Sequence, residues 1–226
     1  MPEEELRTVF AAHPDIIFGF ADIAYSPFAA RFASALVMAV PYGEQLTPET
    51  WTEERFEQGI RSAAARLEAV TAQIEAVLRR GGVRCWVPPA AQENETELLA
   101  PFSFKFAAVN AGIGWIGKND VVITRRYGPR VRLGAILIDA VTACGAPVVR
   151  SECPPACTAC VDICPCKALK NRTWTIDAQR SELIDYHRCN RMRSAFIPSL
   201  GRKSVCGLCM AACPIGRENA PAPGAP

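Results

Sequence analysis

Apolar residues at Phe56, Ile60, Ala63, Leu67, Val70, Ile74 and Val77 recur at steps of three and four. That is the period of one buried helix face, and it marks core packing rather than a cofactor site. Thr47-Pro48-Glu49 reads as the start of this helix, with a cap, a proline in the first turn and an acid next. Gly81-Gly82 stops it. Residues 3–12 predict a shorter helix. The runs DIIFGFADI, SALVMAVPY and VRCWV predict strands, because they are apolar, β-branched or aromatic and bounded by turn residues. Phe102, Phe106 and Val109 share one face of a helix near residues 101–111. After GIGWIGKN come two further strands, DVVIT and VRLGAILID, joined around Tyr127-Gly128-Pro129. From Cys153 to Gly216 the periodicity gives way to short helices and loops hung on cysteines. The expectation is an α+β protein with a first domain over 1–145, a second over 146–216, and a disordered proline-rich tail over 217–226.

Half of the 226 residues are apolar, enough for a proper core, and the formal charge is only +2. No strong basic field invites nucleic acid. The start, MPEEEL, is acidic and unlike a signal peptide. The longest apolar region, FAARFASALVMAVPY, is too short to span a bilayer and carries Arg31. A cytoplasmic protein without membrane partners is expected.

The cysteines change the picture. There are eleven, and they cluster after position 143. A disulfide framework would spread them along a small secreted chain. Clustered C-x-x-C spacings point instead to metal. One block, CPPACTACVDICP, offers Cys153, Cys157, Cys160 and Cys164. A second, CGLCMAACP, offers Cys206, Cys209 and Cys213. Cys189 stands between them. Two blocks ending in C-x-x-x-C-P are the signature of a two-cluster ferredoxin, in which the last cysteine of each block ligates the other block's cluster. Three thiolates fit on one tight loop, the fourth is pointed away by the short helix that follows, and proline ends that helix. The first 4Fe-4S cluster is therefore assigned to Cys153, Cys157, Cys160 and Cys213. The second takes Cys164, Cys189, Cys206 and Cys209. The rival is a pair of zinc sites, which use C-x-x-C too but not crossed C-P termini; histidine is also scarce, with only His13 and His187. The first gap in the first block is three residues rather than two, filled by Pro154-Pro155. Cys85 reads as core, Cys144 as a loop residue, and Cys166 as either a packed thiol or a substitute ligand.

GIGWIGKN contains G-x-G-x-x-G at Gly112, Gly114 and Gly117, and falls one hydroxyl short of a phosphate loop, with Asn119 where Ser or Thr would stand. Both motifs need a strand before the glycines and a helix after them. Here the order is helix, turn, strand. A helix C-terminus presents carbonyls, which repel phosphate. A helix cap explains Gly112, but not the whole cluster.

Taken together, GIGWIGKN, YGPRVRLGAILID and the paired C-P blocks resemble the epoxyqueuosine reductase family, whose wider relatives are the cobalamin-dependent reductive dehalogenases. The resemblance implies a nitroreductase-like, cobalamin-binding first domain and a ferredoxin-like two-cluster second domain that feeds electrons to the cobalt. It implies a turn lying against the corrin, with Gly114 and Gly117 permitting close approach. Lys118, Asn119, Asp120 and Val122 would touch the macrocycle, as would Arg132 and, before Cys206, Ser204 and Val205. A flavin in the nitroreductase-like sheet is the weaker alternative, since no dedicated phosphate-binding feature is present. The implied partners are a low-potential electron donor such as ferredoxin or flavodoxin and a small-molecule substrate.

Two departures bear on the substrate. In the resembled family a catalytic aspartate stands three residues before a proline, here Pro101; that position falls on Leu98, which cannot protonate anything. Glu95 and Glu97 lie near it without occupying it. The chain also stops soon after the second block, without the helical-repeat region of reductases that act on transfer RNA. Epoxyqueuosine is therefore not the expected substrate. Tyr25 and Lys105 are the candidate replacement proton donors. The competing expectation is a non-catalytic electron carrier or a cobalamin-reducing partner protein.

Overall fold

The computed structural model describes residues 1–89, 100–197 and 202–219. The chain divides into two compact units. Unit 1 comprises Met1–Pro41, Ala63–Ile113 and Arg132–Val148; unit 2 comprises Tyr42–Ser62, Gly114–Val131 and Val149–Pro226. The last junction of this division falls at Val148/Val149. Two earlier segments, 42–62 and the turn-bearing 114–131, also belong with the cysteine-rich unit.

Unit 1 is built on a four-stranded sheet with order β1-β2-β6-β3. Strand β1 (Ile17–Asp22) pairs antiparallel with β2 (Ser34–Pro41), Ile17 facing Ala39 and Asp22 facing Ser34. Every residue of β2 is buried, as its unbroken apolar run requires of a central strand. Strand β6 (Val131–Ile138) follows, and β3 (Cys85–Trp86) pairs antiparallel with its end. Cys85 is half-buried on that edge strand rather than sealed in the core. Helix α1 (Glu3–Ala12) buries Leu6.

Helix α2 spans Glu53–Arg80. Of its apolar stripe, Phe56, Ala63, Val70, Ile74 and Val77 are buried, while Ile60 and Leu67 are half-buried. The expected start at Thr47-Pro48-Glu49 is one isolated turn, closed by the Trp51 amide donating to the Thr47 carbonyl at 2.9 Å. The helix proper begins five residues on, where the Arg55 amide donates to the Thr52 hydroxyl at 3.2 Å. Both threonines carry the capping chemistry, and only the second leads into the periodic stripe. Gly82, at φ +70°, ends the helix as expected.

Helix α3 (Phe104–Asn110) starts at the Ser103 hydroxyl, which accepts from the Phe106 amide, and ends at Gly112 with φ +70°. Strands β4 (Gly114–Ile116) and β5 (Val122–Thr124) then form an antiparallel hairpin within unit 2. The glycine cluster was expected to be all turn; its first half after the helix cap is a strand. The rest of unit 2 is short helices: α4 (Ala159–Asp162), α5 (Arg180–Leu183), α6 (Tyr186–Arg193) and α7 (Leu208–Ala211). A two-stranded hairpin, β7 (Phe196–Ile197) with β8 (Arg202–Lys203), precedes the second cysteine block. Among the described residues, Trp174 is the largest fully buried side chain. Leu98, Glu95, Glu97 and residues 220–226 of the expected disordered tail lie outside the described residues, whereas Arg217–Asn219, placed in that tail, form a short 3-10 helix. Among the described residues, no helix is long and apolar enough to cross a membrane.

The stripe on α2 yields a test. Ile74 has no exposed surface. Ile74→Ala should cost about 2–5 kcal/mol in urea denaturation, whereas Glu68→Ala on the exposed side should change stability by less than about 0.5 kcal/mol. Equal effects would contradict the orientation of the helix.

Candidate metal centre

Helix α4 carries Cys160 and leads to Cys164-Pro165; α7 carries Cys209 and leads to Cys213-Pro214. Each helix makes a single turn. A cavity in unit 2 is walled by Cys153, Cys157, Cys160 and Cys213, with Lys118, Asn119, Ile123, Pro154 and Ile215 among its other lining residues. The last cysteine of the second block thus sits with three cysteines of the first. Burial first, and then the neighbouring thiols of Cys153, Cys213 and Cys157, push the Cys160 thiol up to about 12.

The remaining thiols group around the other cysteine of the first block. Cys164 packs in a cluster with Cys160, Ala168, Leu169 and Ile184, against which Cys166, Cys189 and Cys209 are placed, so Cys160 borders both groups of thiols. Burial raises the Cys209 thiol most, with Cys206, Cys160, Cys189 and Cys164 adding to it. Burial raises Cys189 and Cys206 too. Cys164 is the exception. Burial would raise it, but hydrogen bonds from the Ala168 amide and the Cys166 thiol outweigh that and hold it below the ordinary thiol value. The Ala168 amide donates to Cys164 Sγ at 3.4 Å, and Cys166 Sγ lies 3.8 Å from Cys164 Sγ. Cys144 is exposed, as a loop residue should be.

Thiols so crowded resist ionising, yet thiolate is the form that binds metal. A cation among them reverses the balance, and its binding would release protons. Among the described residues, no three His, Cys, Asp or Glu side chains converge as they would around a single ion. A cubane asks for something else. It holds its thiolates on separate iron atoms at the corners of a larger body. Four thiols spread over the wall of one cavity suit that body, and the all-sulfur donor set is the chemistry iron–sulfur clusters take.

The GIGWIGKN hairpin lies against these loops. Lys118, Asn119 and Asp120 are all buried. Lys118 Nζ donates to the carbonyls of Pro155 and Cys157 at 2.8 and 3.0 Å. Asn119 Nδ2 donates to the Cys209 carbonyl at 3.3 Å. The Asp120 carboxylate accepts from Arg180 Nε at 3.0 Å. The turn closes through the Gly117 amide to the Val121 carbonyl and the Asp120 amide to the Gly117 carbonyl, with Asp120 at φ 59°. Aspartate tolerates that left-handed conformation better than most residues. The glycines have reasons within the hairpin. A Cβ on Gly114 would collide with the Ile123 carbonyl across the strand pair. One on Gly117 would stand 2.7 Å from the Ile123 side chain and 2.8 Å from Asn119 Oδ1.

Val122 is buried in β5. Ser204 and Val205 form the approach to Cys206: the Ser204 hydroxyl accepts from the Cys206 amide at 3.2 Å, and the Val205 amide donates to Glu53 at 2.6 Å. Arg132, Tyr25 and Lys105 belong to unit 1. Arg132 is half-buried on β6, and Lys105 half-buried in the first turn of α3. Tyr25 keeps 41% of its surface exposed and packs near Phe106, ring centroids 5.6 Å apart. Partial burial and the neighbouring Asp22 carboxylate hold its hydroxyl proton well above the ordinary phenol range.

Sequence reasoning missed Arg130. It is 2% exposed, and burial lowers its pKa to about 10. Its NH1 donates to the carbonyls of Met210 and Cys213 at 3.2 and 2.9 Å, its NH2 to that of Ile215 at 2.5 Å, and its Nε to the Gln45 carboxamide. Trp115 was also passed over; its Nε1 is buried without a hydrogen-bond partner.

This architecture is that of known reductases. The mixed α/β fold matches a solved epoxyqueuosine reductase in complex with a tRNA-Tyr epoxyqueuosine-modified stem loop, at a TM-score of 0.60 and 17% identity over 96% of this chain and 66% of that one. It also matches a reductive dehalogenase whose dehalogenation is B12-dependent, at 0.63 and 18% identity over 90% of this chain and 31% of that one. In sequence, the chain is 30% identical over 158 residues to the epoxyqueuosine reductase of Pseudomonas aeruginosa, covering 69% of this chain and 40% of that protein. No protein-family model matches the chain. The expected resemblance to epoxyqueuosine reductases and reductive dehalogenases is thus shown, over less than half the length of that curated relative.

Two substitutions test this geometry. Cys213→Ser should lower the iron bound by the cysteines of the first block, although it lies in the second; iron lost from the Cys206–Cys209 group alone would contradict the cavity's composition. Gly114→Ala should destabilise the protein by about 3 kcal/mol in urea denaturation, because the added methyl meets a backbone carbonyl that cannot move aside. A change under about 0.5 kcal/mol would remove the hairpin account of that glycine.

Proposed function

We propose that this chain is an iron–sulfur oxidoreductase that carries electrons through two 4Fe-4S clusters to a cobalamin, which reduces a small substrate. The observation that carries the reading is the sharing of one cavity wall by Cys213 with Cys153, Cys157 and Cys160. Crossed ligation of that kind belongs to two-cluster ferredoxins, and the second group, Cys164, Cys189, Cys206 and Cys209, completes the pair. When bound, the clusters supply one-electron transfer and the cobalamin supplies the reducing centre.

The chain's own residues have distinct tasks. The eight thiolates hold iron. Lys118 and Asn119 fix the carbonyls of Pro155, Cys157 and Cys209, and so fix the loops that present the thiolates. Glu53 anchors Val205 before Cys206. Nitroreductase-like and ferredoxin-like domains remain the finer reading of the two units. For cobalamin, the Lys118, Asn119 and Asp120 side chains are committed inward, so any contact from this turn falls to its backbone and to the unpartnered Trp115 N–H. Arg132, Ser204 and Val205 are the other proposed contacts. Tyr25 and Lys105 are the proposed proton donors; Tyr25 stays protonated throughout the working pH range, given the direction of its shift.

A low-potential ferredoxin or flavodoxin would supply the electrons. The substrate is read as small rather than as transfer RNA, from the weak net charge and from Leu98 at the family's aspartate position. A relative's complex with a tRNA stem loop makes transfer RNA the alternative to exclude.

Anaerobically purified protein should contain about eight iron and about eight labile sulfide per chain. Zinc without sulfide would end the reading. Titration with cob(II)alamin, followed by paramagnetic resonance, should then show a bound corrin with an altered lower ligand. Protein that holds both clusters and binds no cobalamin would be the electron carrier instead, and conversion of epoxyqueuosine in transfer RNA would overturn the substrate class.

A further inference from the structure

Two cations are buried beside the first group of thiols. Lys118 is 3% exposed and Arg130 is 2% exposed. The contacts of Lys118 run to the carbonyls of Pro155 and Cys157, and those of Arg130 to the carbonyls of Met210, Cys213 and Ile215 and to the Gln45 carboxamide. Among the described residues, neither forms an ion pair with a carboxylate. Carbonyl dipoles satisfy their protons but leave their charge, and an uncompensated buried charge is costly. Two of them in one small unit call for an anion. Lys118 lines the cavity walled by the four cysteines, and Arg130 grips the carbonyl of Cys213 itself. Four thiolates on an iron–sulfur core are that anion.

The second thiol group is supplied differently. The cations acting on it are Arg193 and Arg180. Arg193 is exposed on α6, where water screens it. Arg180 is already paired with Asp120 at 3.0 Å.

We propose that Lys118 and Arg130 are the countercharges of the first cluster, and that they make it the first of the two to accept an electron. The proposal rests on the two-cluster reading above. One electron passes from an external low-potential donor to the cluster; the donor is oxidised, the cluster reduced, and no bond breaks. Reduction adds negative charge where buried positive charge already stands, and charges act strongly in such a medium. Net charge and hydrogen bonding are the levers that set a cluster's potential. Lys118 and Arg130 act through the cluster and its loops, so they are positioning residues rather than catalytic ones.

The test is an anaerobic titration of the holoprotein with dithionite and redox mediators, followed by paramagnetic resonance. Wild type should reduce in two separable steps. Lys118→Gln keeps a donor for the carbonyls and removes the charge. Its higher-potential step should shift at least tenfold in equilibrium toward the oxidised form, about 59 mV for one electron, while the other step moves less than half as far. Arg130→Gln should do the same, and Lys118→Arg should titrate like wild type. Should the neutral variants lose the cluster outright, iron analysis of the charge-keeping pair decides. Full iron in Lys118→Arg and Arg130→Lys supports the charge role, and loss in both overturns it. Unmoved steps, equal movement of both, or movement of the lower step alone overturn the proposal while the clusters stand. Zinc without sulfide in the wild type removes the proposal and the cluster reading together.

Discussion

Charge placed out of reach of water must meet charge of the other sign, and unit 2 is organised around that constraint. Its buried thiols resist ionisation singly, as the raised Cys160 shows. Among the described residues, its buried Lys118 and Arg130 bond to carbonyls and a carboxamide and to no carboxylate. Each set is unfavourable alone, and the metal–sulfur body that we propose would resolve both. The same constraint explains why the hairpin from Gly114 to Thr124 belongs to the cysteine-rich unit. It delivers Lys118 to the first cysteine loop and Asn119 to the second, so one turn holds both.

Much of this was legible in the sequence. The 3.6-residue stripe of α2 and the apolar run of β2 reported their own burial, because periodicity records which face meets the core. The C-P endings suggest that Cys213 serves the first block's cluster, the reading we propose, and Cys213 lines one cavity with Cys153, Cys157 and Cys160. The start of α2 was misplaced because Thr47 and Thr52 carry the same capping chemistry and only tertiary packing chooses between them.

The glycine cluster was harder. Gly112 obeys a local rule, the left-handed cap of a helix. Gly114 answers to a non-local one: it makes room for the Ile123 carbonyl across a strand pair that no local signal announces. Arg130 was missed for a related reason. A basic residue after Gly-Pro reads as a solvated turn, and its burial depends on carbonyls some eighty residues on, at Met210, Cys213 and Ile215. Residues whose partners are distant backbone atoms leave no periodic trace.

We propose that two clusters share the cysteine blocks by crossing. Diffraction from anaerobically grown crystals at the iron absorption edge would locate the iron itself. Crossed ligation predicts two separate groups of iron peaks, with the sulfur of Cys213 bonded to the group that also binds Cys153, Cys157 and Cys160. Cys213 bonded to the iron held by Cys206 and Cys209, or no iron at the four-cysteine cavity, would contradict it.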